Sequence, residues 1–350
     1  MSKHELLVYG AYGYTGNLIC QHLESLGEQF IVAGRDEAKT QALAKQYNRP
    51  AKVFSLDNRK ATVEALKDVS VVLHCAGPYS ATSKPMVDAC IEAKAHYLDI
   101  TGEYKVIEAV AARDSELRSA GILGMPSVGM DVVPSDCIAV YVAEKLPSAT
   151  DLKIFIHATG APSPGTLKTS LEQAGQPSKI RKNGKIVDVR FGSMIEKVTF
   201  PDNSQKTLVN MPWGDIASAY YSTKIPNISV YMNVVTPMMA RMSYYTGPLL
   251  RTSLAQAALR GMVNCFVTGS DETQRDSTSS EFIAIASDDK GNERKAYLKV
   301  KNGYAFTVLS AVEIALRVMK GDFKPGFYSP ATLYGADLVL DISGSERKDL

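Results

Sequence analysis

Leu6-Leu7-Val8-Tyr9-Gly10-Ala11-Tyr12-Gly13-Tyr14-Thr15-Gly16 decides the fold. The first four residues read as a short strand, and the apolar spacing from Tyr14 to about Leu26 reads as a helix. Between them lies G-x-x-G-x-x-G, a variant of the dinucleotide-binding G-x-G-x-x-G, in the strand–turn–helix setting that gives such a motif its meaning. Glycine permits the tight turn and lets the backbone approach a pyrophosphate, while the helix start adds N–H groups and a partial positive charge. Gly10, Gly13, Tyr14, Thr15 and Gly16 are therefore candidate contacts for a phosphate-bearing ligand. The competing reading is a strand–helix turn that merely uses glycine.

Outward from this unit the alternation continues. Phe30 to Ala33, Val53-Phe54, Val69 to Cys75, Tyr97 to Ile100 and Ile122 to Met125 are further β-type runs. Helical patterns lie at Glu37 to Tyr47, from an Asp57 N-cap to about Asp68, at Ser83 to Lys94, and at Tyr104 to Ala120. Six strands joined by helical crossovers predict an α/β fold, a Rossmann doubly wound parallel sheet. After a helix at Pro134 to Lys145 the texture changes. Leu152 to His157, Lys185 to Arg190, Glu196 to Phe200, Ser229 to Val235, Phe282 to Ala286 and Lys295 to Val300 alternate, the last two flanking a turn at Asp288 to Asn292. They predict a second α+β domain on a mostly antiparallel sheet. The expected division is 1–149 for the Rossmann domain and 150–302 for a substrate or dimerisation domain. Residues 303–350, helical from Ala305 to Lys320, are expected to pack back onto the first.

Composition narrows the function classes. Lys plus Arg (39) nearly balance Asp plus Glu (37), for a net charge of +2, and no basic stripe points to nucleic acid. The cysteines Cys20, Cys75, Cys90, Cys137 and Cys265 are odd in number and scattered, with no C-x-x-C. That argues against a disulfide framework and a metal site, and for a reducing, cytoplasmic setting. Met1 to Glu5 runs straight into a strand, so no signal peptide is expected. No segment supplies the roughly 20 apolar residues of a membrane helix. The nearest, Ile228 to Leu250, carries Arg241 and two prolines and reads as a buried or lid helix, with loose membrane contact as the alternative.

The second strand ends in Ala33-Gly34-Arg35-Asp36. NAD sites place an acid here for the ribose 2′-hydroxyl, whereas an Arg suits the extra phosphate of NADP. Arg35 can bind that phosphate bidentately, and Asp36 reads as the N-cap of the next helix, so NADP is expected over NAD. Strand four ends in His74-Cys75-Ala76-Gly77-Pro78-Tyr79. Its small, rigid Ala76-Gly77-Pro78 turn would let a dinucleotide pass closely, with Tyr79 near the nicotinamide or simply packed at a junction. Tyr-x-x-x-Lys, the proton-delivering pair of short-chain reductases, occurs at Tyr141/Lys145 and again at Tyr220/Lys224. Two matches in a tyrosine-rich chain make chance the better explanation. Ile138, Val142 and Leu146 around Tyr141 suggest packing.

Several segments together resemble the saccharopine dehydrogenase-like oxidoreductases, a group that takes in mycobacterial trans-acting enoyl reductases. They are Gly10 to Gly16, Ala33-Gly34-Arg35, Ala76 to Tyr79, Tyr97 to Glu103 and Gly129 to Asp136, followed by Gly165-Thr166 with Ser170 and Glu172, and Ser310 to Glu313. The resemblance implies a Rossmann domain interrupted or followed by an α+β domain, a nicotinamide coenzyme and hydride transfer. By position it implies that Gly10, Gly13, Gly16, Arg35 and Ala76–Tyr79 hold the coenzyme, with Asp99–Glu103 and Asp131–Asp136 facing the cleft. Substrate does not carry over. Arg181 and Arg190 sit among lysines on what reads as a solvated hairpin, so no Arg cluster awaits a polycarboxylate. The aromatic and Met-rich stretch from Trp213 to Tyr245 suggests an apolar small-molecule substrate, or a core or homodimer interface.

The expected activity is NADP(H)-dependent hydride transfer to an activated C=C or C=N of a small or acyl substrate. A proton donor must accompany the hydride, and Tyr79, His74 and Asp131 are the candidates, although Asp131 and Asp136 also read as helix caps. No obvious acid–base pair is present, so a coenzyme-binding sensor or scaffold without turnover stands as the alternative.

Overall fold

The computed structural model describes residues 5–158, 176–250 and 279–350. Cys265 and the Gly165 to Glu172 segment of the resemblance lie outside them. The chain divides into two units. One runs to Cys137 and resumes at Tyr304–Ser343; the other comprises Ile138–Gly303 and Gly344–Leu350.

In the first unit, β1 (Glu5–Tyr9), β2 (Ile31–Gly34), β3 (Ala51–Val53), β4 (Val69–His74), β5 (His96–Asp99) and β6 (Leu123–Met125) stand in the order β6-β5-β4-β1-β2-β3. Every neighbouring pair is parallel. Leu6, Leu7 and Val8 of β1 and Val71, Val72 and Leu73 of β4 are buried. Central strands covered on both faces need such unbroken apolar runs. From β1 the chain runs out through β2 and β3 on one side and then crosses to β4 on the other, the reversal outside whose strand carboxyl ends open α/β sheets form a ligand crevice.

The crossovers are α1 (Tyr14–Ser25), α2 (Glu37–Tyr47), α3 (Arg59–Ala65), α4 (Tyr79–Ala93), α5 (Tyr104–Ala111) and α6 (Asp114–Ala120). Three differ from expectation. Asn58, not Asp57, caps α3 by accepting the Ala61 N–H at 3.1 Å, while Asp57 accepts from the Ser55 hydroxyl. The helix expected at Ser83 starts at Tyr79. The single helix expected over Tyr104 to Ala120 is two, broken at Arg113, whose backbone leaves the helical region and whose guanidinium is held by Asp88 and Glu116.

Within α7 (Val133–Lys145) the chain passes into the second unit. There β7 (Asp151–Ala158), β8 (Ser178–Lys182), β9 (Lys185–Val189), β10 (Ile195–Thr199), β11 (Gln205–Asn210), β12 (Asn227–Met232), β13 (Ser279–Ser287) and β14 (Glu293–Lys301) accompany α8 (Asp215–Thr223) and α9 (Pro237–Leu250). The sheet runs β10-β11-β12-β7-β13-β14, with the β8–β9 hairpin attached to β12. It is mostly antiparallel, but β12 and β7 pair in parallel. Tyr231, Phe155, Ile283 and Tyr297 stand opposite one another on four adjacent strands. With Val198, Phe200 and Leu208 they make one buried face, in which Phe155 and Tyr231 stack at 5.1 Å.

Two readings of this unit change. Ile228 to Leu250 is not one helix: its first residues form the central strand β12, and the helix starts only at Pro237. Arg181 is not solvated. It is buried, donating to the Ile216 and Gly184 carbonyls at 2.7 Å each and lying 4.1 Å from the Tyr220 ring. Among the described residues no helix is long and apolar enough to cross a membrane.

The chain then returns to the first unit through α10 (Gly303–Met319), the short strand β15 (Gly326–Phe327), α11 (Pro330–Tyr334) and α12 (Leu338–Asp341). β15 extends the parallel sheet to seven strands by pairing with β6, one more than expected, and Asp114 accepts the Phe327 N–H at 2.8 Å. Two residues are too few to show a period. The final residues leave again: β16 (Glu346–Asp349) pairs with β14, so the expected return of 303–350 as one block holds only for Tyr304–Ser343. Beside β16, Lys145 donates to the Tyr141 hydroxyl at 2.7 Å and pairs with Asp349, and the Arg347 guanidinium lies 3.7 Å from the Tyr141 ring.

Candidate functional site

The glycine turn is closed by backbone. Gly10 has φ +81° and donates to the Ala33 carbonyl at 2.9 Å, and a Cβ there would stand 2.8 Å from Ala76 Cβ. The carboxyl ends of β1, β2 and β4 therefore meet at this residue. At Gly16 a Cβ would come within 2.3 Å of the Gly10 carbonyl oxygen, so α1 can sit on its own turn only without a side chain. Gly13 is the extended N-cap of α1 and offers no side-chain cap. The start of α1 therefore carries no capping side chain of its own, which suits a pyrophosphate placed there.

The next helix is treated differently. Asp36 caps α2 by accepting the Lys39 N–H at 3.0 Å. Arg35, one residue earlier, is exposed and forms no ion pair among the described residues. Gly34 ends β2 where Tyr12, from the glycine turn, fills the space above it.

The third side of the crevice is built by loops after β4, β5 and β6. His74 is fully buried and neutral, its pKa driven down to about 3 by loss of water. Thr82 donates to the Ala76 carbonyl at 2.7 Å, so its oxygen, 3.0 Å from His74 Nε2, accepts the imidazole proton. Nδ1 then carries no proton and has no partner among the described residues. Tyr79 packs edge-on to His74 at 5.4 Å and donates its hydroxyl to the His74 carbonyl at 3.3 Å. Burial, helped by the charges of Asp99, Asp131 and Glu103, raises its pKa well above the usual phenol value. Asp131 lies against Gly102, where a Cβ would be 2.7 Å from its carboxylate, and burial raises its pKa to about 6. His74, Tyr79 and Asp131 are thus gathered at one end of the parallel sheet. Asp136 is elsewhere, accepting the Ala331 N–H at 2.9 Å.

Two carboxylates organise these loops, and sequence reading saw neither role. Asp99, fully buried, accepts from the Tyr97 hydroxyl (2.6 Å) and from the N–H groups of Thr101 (2.9 Å) and Ser127 (2.8 Å). Ser127 holds φ +66°, a left-handed conformation that this bond helps to maintain. Glu103 accepts the N–H groups of Tyr79 and Ser80 and so closes the start of α4. The returning α10 braces the same end: Thr307 accepts the Met130 N–H at 3.1 Å, and Tyr304 meets Tyr14 edge-to-face at 4.9 Å. The Thr101-Gly102-Glu103 spacing was the one available signal for this region.

Residues 6–125 match the family described as the saccharopine dehydrogenase NADP binding domain. This stretch is similar to saccharopine dehydrogenase NADP-binding domains. The chain is 28% identical over 203 residues to the human saccharopine dehydrogenase-like oxidoreductase, covering 51% of this chain and 47% of that one. It is 28% identical over 184 residues to a presumed trans-acting enoyl reductase of Mycobacterium tuberculosis, covering 49% and 44%. The chain thus spans about half the length of the curated relatives it matches. Apo saccharopine dehydrogenase (L-Glu forming) from Saccharomyces cerevisiae has the same fold, with a TM-score of 0.66, 15% identity, and coverage of 99% of this chain and 100% of that one. The saccharopine dehydrogenase NADP-binding domain accounts for β1 to β6 and the glycine turn; the second sheet belongs to the wider likeness of fold.

Proposed function

We propose that this chain is an NADP(H)-dependent oxidoreductase that reduces an activated C=C or C=N bond of a small or acyl substrate. One observation carries the reading. α1 begins without a side-chain cap at a turn whose Gly10 and Gly16 admit no Cβ, and Arg35 stands exposed one strand over while Asp36 is committed to α2.

When bound, the coenzyme supplies hydride from its nicotinamide ring. The chain's own groups bind, orient and supply the proton. The start of α1 would hold the pyrophosphate, and Arg35 would take the 2′-phosphate through its planar fork. The exposed Gly77-Pro78 turn has no bulky side chain to hold the coenzyme off. Tyr79 keeps its phenolic proton at neutral pH, and Asp131 is partly protonated in mildly acid solution. Either supports a proton delivered beside the hydride; His74, whose proton is engaged by Thr82, is the weakest of the three. The exposed Met238, Met239, Met242 and Tyr245 of α9 support an apolar substrate or a second copy as partner. No disulfide links the described cysteines, which supports a cytoplasmic setting.

One observation favours a sensor or scaffold without turnover. The Tyr79 hydroxyl is spent on the His74 carbonyl and Glu103 on helix N–H groups, so neither is idle for proton transfer. NADPH oxidation across enoyl, imine and carbonyl acceptors decides between the two, since tight binding with no oxidation sinks the enzyme. For the coenzyme itself, Arg35→Glu is expected to weaken NADPH binding by tenfold or more, on the order of a lost charged hydrogen bond, and to leave NADH binding nearly unchanged. Equal losses refute the NADP assignment.

A further inference from the structure

We infer that Lys39 and Tyr12 complete the 2′-phosphate site with Arg35, and that Lys39 shares with Arg35 the preference of this chain for NADP(H) over NAD(H). The inference rests on the coenzyme reading above and assigns two residues that neither the glycine motif nor the strand-end arginine predicts.

The starting point is Gly34. A Cβ on it would stand 2.3 Å from Tyr12 Cε1 and 3.0 Å from Thr40 Oγ1, so an acidic side chain in this place would have to displace the Tyr12 ring. The space is filled by Tyr12, a glycine-turn residue that thereby also faces the strand end. Tyr12 and Arg35 both act electrostatically on the buried Tyr9 hydroxyl, the phenol opposing its ionisation and the guanidinium favouring it. Both therefore belong to one neighbourhood at the carboxyl ends of β1 and β2.

Lys39 approaches from the other side. Its ammonium lies 5.8 Å from the centre of the Tyr12 ring, within cation–π range, and its side chain is 67% exposed. Its ion partner is Asp36, at 3.8 Å, with the other carboxylate oxygen accepting the Lys39 N–H. Exposed pairs of this kind contribute roughly 0–1 kcal/mol, so the ammonium can exchange Asp36 for a stronger anion at little cost. The acids nearby are Asp36, which caps α2 and pairs with Lys39, the exposed Glu37, and Asp57, which like Arg35 acts on the Tyr9 hydroxyl. A ribose carrying only hydroxyls gives Lys39 no reason to leave Asp36. A phosphate monoester, with close to two negative charges, engages a fork from Arg35 and an ammonium from Lys39 together, with Tyr12 as the wall between them.

The test is calorimetric titration of wild type, Lys39→Ala and Tyr12→Ala with NADPH, NADH and 2′,5′-ADP, with thermal melting as the fold control. The exposed position of Lys39 makes the alanine variant a safe one to fold. Lys39→Ala is expected to weaken NADPH and 2′,5′-ADP by about tenfold or more, with NADH within about twofold, and rising salt should erase the difference. Tyr12→Ala should reduce the NADPH preference in the same direction. A Lys39→Ala protein that keeps its NADPH preference, or loses both coenzymes equally, overturns the assignment while leaving the coenzyme reading intact. Wild type that binds neither coenzyme sinks that reading and this inference together.

Discussion

The Glu103 carboxylate receives the backbone N–H of Tyr79 at 3.0 Å, and that of Ser80 at 3.1 Å, across 24 residues of chain. α4 is thus capped by a side chain from the loop after β5, because Pro78 in the cap position has none to offer. The bond locks two loops of the crevice together and sets Tyr79 where its hydroxyl reaches the His74 carbonyl. It also marks a contrast. α4 has its first N–H groups bonded by Glu103, whereas α1 begins at Gly13 with no capping side chain.

Removing that cap should be felt in stability and in the crevice. Glu103→Ala loses two charge-assisted bonds and is expected to cost about 1–2 kcal/mol. Glu103→Gln, with one amide oxygen left to accept, should lie between it and wild type. Chemical denaturation measures the series, and coenzyme titration should weaken in the same order. A Glu103→Ala protein indistinguishable from wild type would mean that α4 is held by packing alone.

The glycines of the turn should separate folding from binding. Gly16→Ala drives a methyl to 2.3 Å from the Gly10 carbonyl, and overpacking of this kind costs roughly 1–3 kcal/mol. Gly13→Ala is different: its φ is an ordinary −70°, and the Cβ would meet only the Gly10 carbonyl, at 3.1 Å. That variant is expected to melt close to wild type yet bind NADPH more weakly, because its methyl occupies the ligand side of the turn. Circular dichroism melts with calorimetric titration check both; unimpaired binding by Gly13→Ala would move the pyrophosphate elsewhere.

Asp99 makes a pH prediction. Burial raises its carboxyl from the ordinary 3.8 to about 6, against the opposing pull of its Tyr97, Thr101 and Ser127 bonds. The folded state therefore binds the proton more tightly than the unfolded chain. The stability this gives is complete below pH 4 and is lost as pH rises through 6, on the order of 3 kcal/mol in all. Asp88 and Asp114, whose pKa values are lowered by arginine and lysine partners, slope the other way, so the readout is the difference between wild type and Asp99→Asn. The variant amide keeps an oxygen for the Thr101 and Ser127 N–H groups. Denaturant unfolding from pH 4 to 7 should show Asp99→Asn gaining on wild type as pH rises; a widening deficit instead would mean that the three donors outweigh burial.

Much of the first unit was legible because its signals are local. The strand–glycine–helix unit, the span Glu37–Tyr47 and the Asp36 cap all depend on residues within one turn of each other, where periodicity and hydrogen-bond reach coincide. That the sheet is parallel and doubly wound followed from the alternation, since right-handed crossovers leave few arrangements. The discounting of Tyr141 and Lys145 rested on counting alone, and their partners Arg347 and Asp349 were out of sight.

The remainder depended on contacts between residues far apart in the chain, which no window of sequence contains. The left-handed Ser127 is sustained by Asp99, 28 residues earlier, and the α4 cap by Glu103. Arg181 reads as solvated until α8 supplies the Ile216 carbonyl that buries it. β15 and β16 are too short to carry a pattern and exist only because a sheet edge was waiting for them. Local chemistry chose the helices, strands and turns of the crevice. Which side chains meet there, and therefore what the crevice can hold, was settled when distant backbone groups had to find partners on leaving water.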